Sequence, residues 1–410
     1  MRRRGDGHPE DITANDREVE HGEAGWCPGQ GVTLGPRRPA GEDGAERQGE
    51  AEPSKNSISP VKFASDGLPM TEPRPHPLVV LTPVKNEGWI LDRFLAITTR
   101  LADHVIVADQ RSTDDSRAIA ARYPNVTVVD NADPGFSEAA RQSLLLDTAR
   151  RLFPGPKVLL ALDADEIIAA DAPASPGWRT MLTAAPGTVL LFELVDLLLM
   201  TDRCMRHDQW RPFGYVDDGA PHEGRLIHSG RLPLLPEAPR LKLNDVRLLH
   251  YAPLRSSGLA SKLRWYSVVE NILGTCKPVF KRRLRYLNHL DFTWEGRIEP
   301  THAEWFAGWE AQGIDMRTVA DPVFHWYDVE VLRAFGQHGT RTFWLDDIWR
   351  CDWEACRQWA LAQGHQGIPG HPVEAAPDWL VWVMRLFGYL HRHQVWLRQR
   401  LSGRRSRRLA

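Results

Sequence analysis

Between residues 78 and 162 the chain repeats one pattern: a short β-rich apolar run, then a stretch with helical spacing. Residues 78–84, 104–109, 126–130 and 158–162 are predicted strands, and residues 89–101, 114–122 and 137–152 are predicted helices. Strands joined by crossover helices lie parallel, because a tight turn cannot link parallel neighbours. The pattern therefore predicts an α/β fold, a mostly parallel sheet with helices on both faces. Sheets of this kind place their ligands beyond the carboxyl ends of the strands. The residues that follow each strand are where chemistry is expected.

The fourth strand ends abruptly in Asp163-Ala164-Asp165-Glu166. Side chains two apart in an extended segment share a side, so Asp163 and Asp165 can converge on one ligand. Their hard oxygens suit Mg²⁺ or Mn²⁺, and such an ion can bridge a diphosphate and neutralise a departing nucleotide. In an ordinary loop such a triplet is more often a cap or a turn; at the end of a strand in an α/β unit the ligand reading is preferred. Upstream, Thr82-Pro83-Val84-Lys85-Asn86-Glu87 follows the first strand and Asp109-Gln110-Arg111-Ser112-Thr113-Asp114 the second. Ser112 or Thr113 with Asp114 can equally serve as a helix cap.

Across roughly residues 77–255 the chain resembles the family 2 glycosyltransferases of the GT-A fold. The matching signatures are Pro83 with Asn86-Glu87, the turn from Asp109 to Asp114, Ala140-Arg141 early in the third helix, and Asp163-Ala164-Asp165. The resemblance implies an inverting, metal-dependent transfer from a nucleoside-diphosphate sugar to a hydroxyl acceptor, with Mn²⁺ or Mg²⁺ as cofactor. It assigns donor binding to Pro83, Glu87, Asp109, Arg141 and Asp163. Within that set Glu87 and Asp109 hold the nucleoside, Arg141 positions the donor, and Asp163 reaches the ribose or the metal. Asp165 is the metal ligand. Gln110-Arg111 departs from the smaller residues of many relatives, which leaves the base open, with uridine as the default.

Inversion needs a base on the face opposite the leaving group, and the family places a carboxylate for this well downstream of the acidic triplet. Asp217, Asp218 and Glu223, in an expected acceptor-side loop over 213–224, are the candidates, with Asp218 preferred. Plain turn chemistry at Asp217-Asp218-Gly219 is the competing reading. His250 ends a predicted strand over 246–250; the resemblance allows it to complete the metal site, and a structural histidine is the alternative. Further strands are expected over 189–195 and 225–228. On an expected helix over 257–273, Lys262, Arg264 and Tyr266 either meet phosphate oxygens or form a solvated face.

The expected organisation is a disordered segment over 1–75, a GT-A domain over 76–275, a Trp-rich helical extension over 276–377 and a basic amphipathic helix and tail over 378–410. The first segment is rich in Gly, Pro and charge and lacks apolar periodicity, so it cannot bury enough surface to offset its ordering entropy. Translation is expected to begin at Met70. After Asp378 the tail has no acid but many arginines, interleaved with Trp379, Trp382, Phe387, Tyr389 and Trp396. That composition suits an anionic membrane surface, or equally a helix docked on the domain with a solvated basic end. Of the 16 tryptophans, Trp294, Trp305, Trp309, Trp326, Trp344, Trp349 and Trp353 crowd the second half. A minority are expected to stack on sugar and the rest to build core.

Fifty-one Lys and Arg against 53 Asp and Glu leave a net charge of -2, which gives no reason to expect a nucleic-acid partner. Five scattered cysteines without a CxxC pair predict neither disulfides nor a thiolate zinc site. No signal peptide and no transmembrane helix are expected, so the protein is read as cytoplasmic, with peripheral contact to the inner membrane face through 378–410. The expected partners are the nucleotide-sugar donor and a saccharide or lipid-linked acceptor, in cell-surface polysaccharide or glycolipid assembly. A nucleotidyltransferase that makes a nucleotide sugar, and a catalytically silent scaffold, are the competing functions.

Overall fold

The computed structural model describes residues 74–131, 137–226, 229–275, 279–286 and 297–406, all within one compact unit spanning Ala64–Ala410. Residues 1–73, Trp294 and His228 lie outside that description, and with them nearly all of the segment expected to be disordered.

Strand and helix alternate as the pattern predicts: β1 (Leu78–Val84), α1 (Leu91–Leu101), β2 (His104–Asp109), α2 (Ser116–Ala120), β3 (Val126–Asp130), α3 (Glu138–Leu152) and β4 (Lys157–Ala161). These strands run parallel in the order β3-β2-β1-β4. Alternate side chains of β1 feed opposite faces, as the strand period demands. Val80 packs with Val105, Val107 and Leu160 under α1, whereas Val79 and Leu81 pack with Ile106 and Leu159 under α3. In α1, Leu91, Phe94, Leu95, Thr98 and Leu101 are buried, the i, i+3, i+4, i+7 spacing that gives a helix one core-facing stripe. Each face is thus covered, which is why β1 and β4 are apolar almost throughout.

Beyond β4 the sheet becomes mixed. It continues through β5 (Glu166–Ile168), α4 (Pro176–Leu182), β6 (Val189–Leu198), β7 (Arg203–Asp217) and β8 (Arg240–His250), and the full order is β3-β2-β1-β4-β7-β6-β8-β5. Two sequence expectations fail here. Residues 213–217 belong to the long strand β7, antiparallel to β4, rather than to a loop. Gly214 makes this possible: a Cβ there would come within 2.9 Å of Leu190 and 3.0 Å of Leu160. Arg225 and Leu226 are loop, not strand.

The helical region follows as α5 (Ser256–Leu273), α6 (Val279–Arg285), a short edge strand β9 (Arg297–Pro300) paired with β7, α7 (Glu304–Glu310), α8 (Trp326–His338), α9 (Trp353–Ala362) and α10 (Asp378–Ser406). α5, α8 and α9 close around their own apolar cluster, which includes Trp265, Val268, Leu332, Phe335, Trp353 and Cys356. Of the tryptophans, Trp305, Trp309 and Trp353 are core, and Trp344 and Trp349 are half-buried. Among the described residues Cys204, Cys351 and Cys356 are free thiols, and no helix is long and apolar enough to cross a membrane.

Candidate functional site

The parallel register brings the ends of β1, β2 and β4 to one edge, with Val84 opposite Asp109 and Leu81 opposite Ala161. A cleft of about 580 Å³ opens there, a size that holds a small organic ligand. Its lining includes Pro83, Glu87, Arg141, Asp163, Asp165 and Lys262. All of these were singled out in the sequence.

The two turns that rim the cleft are laced together. Asn86 and Arg111 hold φ of 56° and 53°, a left-handed conformation that costs most residues energy and persists only where neighbours enforce it. Here the enforcement is reciprocal. Ser112 Oγ accepts from the Asn86 amide at 2.9 Å, and Asn86 Oδ1 accepts from the Thr113 amide at 2.7 Å. Ser116 Oγ takes the Glu87 amide, and Asp114 takes those of Gly88 and Ser116. Ser112 and Asp114 therefore act as turn-builders. Asp109 is buried; Arg117 pairs with its Oδ2 at 2.8 Å, and its Oδ1 has no hydrogen-bond partner.

The centre of the site is electrostatic. Tyr251 donates its amide to the Asp165 carbonyl at 2.9 Å, and Glu166 lies opposite His250 where β5 meets β8. The His250 ring is thereby brought beside Asp165, with Nε2 3.9 Å from Oδ2. On its other side Nδ1 lies 2.6 Å from Asp196 Oδ1, and His207 Nε2 lies 2.9 Å from Asp196 Oδ2. Burial works against charge on His250, but the bond to Asp196 and the charges of Asp165, Asp196 and Glu166 outweigh it and raise its pKa to about 9. Burial also works against charge on Asp196, yet its two imidazole partners hold it well below the usual carboxylate range.

Arg231 reaches the same place from a Gly/Pro-rich loop. It donates to the Ala161 carbonyl, to Asp163 at 2.8 Å and to both oxygens of Glu166. Asp163 is thus already paired, and that positive neighbour keeps it ionised in spite of burial. Burial and the charge of Asp165 push Glu87 up to about 8, although its hydrogen bond from Trp89 at 2.7 Å works the other way. Among the described residues Arg141, Lys262 and the exposed Arg211 line the cleft without such a partner. Among the described residues the side chains of Arg141 and Lys262 make no hydrogen bond or ion pair, and Arg141 Nε is buried. Tyr327, Tyr266, Asp165 and Asp163, against the pull of burial, keep Lys262 charged.

The donor set can be tested for a divalent ion. Two ligand atoms each about 2.1 Å from one ion sit roughly 3–4 Å apart, and the Asp165–His250 separation of 3.9 Å falls in that span. A histidine whose far nitrogen is tied to a carboxylate is the usual way to orient a metal-binding imidazole. Among the described residues no group of three His, Cys, Asp or Glu side chains could hold an ion. The residues therefore fit an ion that takes most of its remaining ligands from water and phosphate, as Mg²⁺ and related ions do.

The expected bases are elsewhere. Asp217 lies opposite Lys157, the first residue of β4, so it is at the far end of the strand from Asp163. It is buried between Lys157 at 2.7 Å and Arg150 at 2.7 Å. Asp218 is at that same end and accepts from Tyr215 Oη at 2.6 Å, and Glu223 is exposed. None of the three lines the cleft. The structure therefore does not bring these three expected bases to the cleft, because the Asp-Asp-Gly turn follows a strand that runs antiparallel to β4. Arg264 also leaves the site, because Asp328 captures it in a buried pair at 2.7 Å.

Sequence reasoning missed Arg231, which sits in no recognisable pattern, as well as Tyr327 and Glu330. These last two come from the start of α8, with Trp326 stacked on Tyr327 at 3.8 Å and Lys85 lying 4.4 Å above the Trp326 ring.

No family model matches the chain. It is similar to an uncharacterised protein of Mycobacterium tuberculosis and to one of Mycobacterium bovis, each 27% identical over 195 residues, which is 42% of this chain and 46% of the relative. The chain thus spans about half the length of the curated relatives it matches. Among solved structures, it is similar to glucosyl-3-phosphoglycerate synthase from Mycobacterium tuberculosis in complex with Mn²⁺, uridine diphosphate and glucosyl-3-phosphoglycerate. That match has 23% identity and a TM-score of 0.22 and covers 30% of this chain and 44% of that one. It is also similar to a 4-diphosphocytidyl-2C-methyl-D-erythritol synthase, with 16% identity and a TM-score of 0.26 over 35% of this chain and 76% of that one.

Proposed function

We propose that this protein is a metal-assisted glycosyltransferase of the family 2 kind. It moves a sugar, with inversion, from a nucleoside-diphosphate sugar to a hydroxyl of a saccharide or lipid-linked acceptor in cell-surface polysaccharide or glycolipid assembly. The observation that supports this most is the Asp165–His250 pair at the carboxyl edge of the parallel strands, of which Asp165 lines one cleft with Arg141 and Lys262. Asp165 and His250 would hold Mn²⁺ or Mg²⁺, while Asp163 stays paired with Arg231. The bound ion supplies positive charge that stabilises the diphosphate as it leaves.

Arg141 and Lys262 donate to the diphosphate oxygens, charge-assisted bonds of the stronger kind. Gln110 and Pro83, both on the cleft wall, meet the nucleoside, whereas Asp109 is buried and does not line the cleft. Arg231 fixes the direction in which Asp163 points. The charged neighbours of Glu87 are Asp165, Lys262 and Arg255, and on that ground we read it as belonging to the reacting end of the cleft rather than to the base. It takes the proton from the acceptor hydroxyl there, in place of Asp217, Asp218 and Glu223.

Thermal shift with uridine, guanosine, thymidine and cytidine diphosphates, with and without Mn²⁺, tests the reading. Ligand at about 100 times its dissociation constant adds roughly 2.7 kcal/mol to stability. One nucleotide is expected to raise the melting temperature in a Mn²⁺-dependent way, and Asp165→Ala is expected to abolish the rise. Folded protein that responds to none of them refutes the reading.

A further inference from the structure

α10 meets the rest of the chain with one narrow side. Its half-buried residues include Leu380, Val381 and Met384, and Val381 and Arg385 border a small crevice with Arg283, Trp344, Asp347 and Trp349. A helix anchored this way normally shows polar residues on its outer side. Here Trp379 and Trp382 are 68% and 64% exposed, and Val383, Leu386, Tyr389 and Leu390 are exposed with them. At 100° per residue these positions fall within one arc of less than half the helix circumference. The outward side of α10 is therefore a continuous apolar stripe, rich in tryptophan and tyrosine. After Asp378 the sequence contains no Asp or Glu, and arginine recurs at 385, 392, 398, 400, 404, 405, 407 and 408.

We propose that α10 lies in the interface of a membrane rich in anionic lipid, with the Trp379–Leu390 stripe turned into the headgroup and acyl boundary. The charge pattern selects this occupant. An acid-free arginine run has its complement in an anionic leaflet, whereas α10 packed on its own copy brings together two acid-free runs with no counter-charge between them. Trp and Tyr side chains, apolar in body and polar at the tip, settle at that depth. The helix, about 43 Å long at 1.5 Å per residue, presents the stripe in its first half and most of the arginines in its second, so both contributions act at once. This proposal does not depend on the catalytic reading, since no residue of α10 lines the cleft.

Flotation of the full chain with vesicles tests it, comparing phosphatidylcholine alone with phosphatidylcholine and phosphatidylglycerol in equal parts. The protein is expected to rise with the anionic vesicles and stay down with the neutral ones. The triple substitution Trp379→Ser, Trp382→Ser, Phe387→Ser is expected to abolish flotation without lowering the melting temperature, because these side chains are exposed. Arg398→Gln, Arg400→Gln, Arg404→Gln and Arg405→Gln together are expected to weaken binding by roughly 600-fold, since each basic residue near an anionic surface contributes about fivefold. Three results overturn the proposal: failure of the full chain to float with either vesicle, equal flotation with both, or binding unchanged by both variants. A wild-type dimer in sedimentation that the triple substitution makes monomeric, without lipid binding in either form, assigns the stripe to a second copy instead.

Discussion

Asp196 holds the imidazole of His250 by Nδ1 at 2.6 Å and so turns Nε2 toward Asp165, 3.9 Å away. The orientation depends on a residue that does not itself line the cleft. Asp196→Ala is therefore expected to weaken Mn²⁺ binding by about 10–100-fold, the usual cost of losing such a support, while Asp165→Ala removes binding. Titration of free Mn²⁺ by electron paramagnetic resonance reads both. Unchanged affinity in Asp196→Ala would take His250 out of the metal site.

Arg141 and Lys262 are predicted to matter for ligand and Arg264 for folding, although Lys262 and Arg264 are two residues apart on one helix. A hydrogen bond to a charged group contributes about 1.5–3 kcal/mol, so Arg141→Ala and Lys262→Ala should each weaken nucleotide diphosphate binding by roughly ten- to a hundredfold with little change in melting temperature. Arg264→Ala leaves Asp328 buried and unpaired and should instead lower stability by about 3–5 kcal/mol. Calorimetric titration and thermal melts of the three variants separate the roles.

Glu87 is predicted to act on turnover rather than on donor binding. Glu87→Gln should lower kcat by about 10²–10⁴-fold, the usual contribution of a general base, with nucleotide affinity retained. Its carboxyl, raised to about 8 by burial and by the charge of Asp165, must be ionised to accept a proton, so the wild-type rate should fall as the pH is lowered. That acidic limb should vanish in the variant. A variant that loses nucleotide binding instead would return Glu87 to the nucleoside end of the site.

How far the sequence reaches follows from what each signal depends on. β1, β2 and β4 were legible because a strand buried on both faces must be apolar along its length, and α1 because one stripe suffices to cover it. The acidic triplet was legible because it is local. β7 was not: Gly214, Gly219 and Pro221 make 213–224 read as loop, yet Gly214 is there because Leu190 and Leu160 leave no room for a Cβ, a fact that belongs to the neighbouring strands. The misplacement of Asp217 and Asp218 followed directly from that. Lys262, Arg264 and Tyr266 were legible only together, as polar residues of one expected helix, and what separates Arg264 from the other two is Asp328 on α8. Arg231, Trp326 and Tyr327 enter the cleft through tertiary packing, and no spacing in the sequence announces them.

Asp217 yields the sharpest structural prediction. Its carboxylate is 1% exposed and Lys157 2% exposed, and Arg150 closes the pair from α3. Asp217→Ala leaves the Lys157 ammonium in a buried site whose remaining neighbour is also a cation, so a loss of about 3–5 kcal/mol is expected. The double variant Lys157→Met, Asp217→Leu removes both charges at similar volume and should recover most of that loss. The pH dependence has a definite sign. Burial opposes the charge of Asp217, but Arg150 and Lys157 outweigh it and depress its pKa. Its contribution is fully present above the carboxylate pKa of the unfolded chain, about 3.9, and is lost as the pH falls through the lower folded value. Denaturant melts between neutral and acid pH should therefore show a steeper acid loss in the wild type than in the double variant. Nucleotide binding at neutral pH should be the same in both, because this pair lies at the opposite end of β4 from Asp163 and Asp165. A double variant that is stable yet fails to bind would place Asp217 back in the functional site.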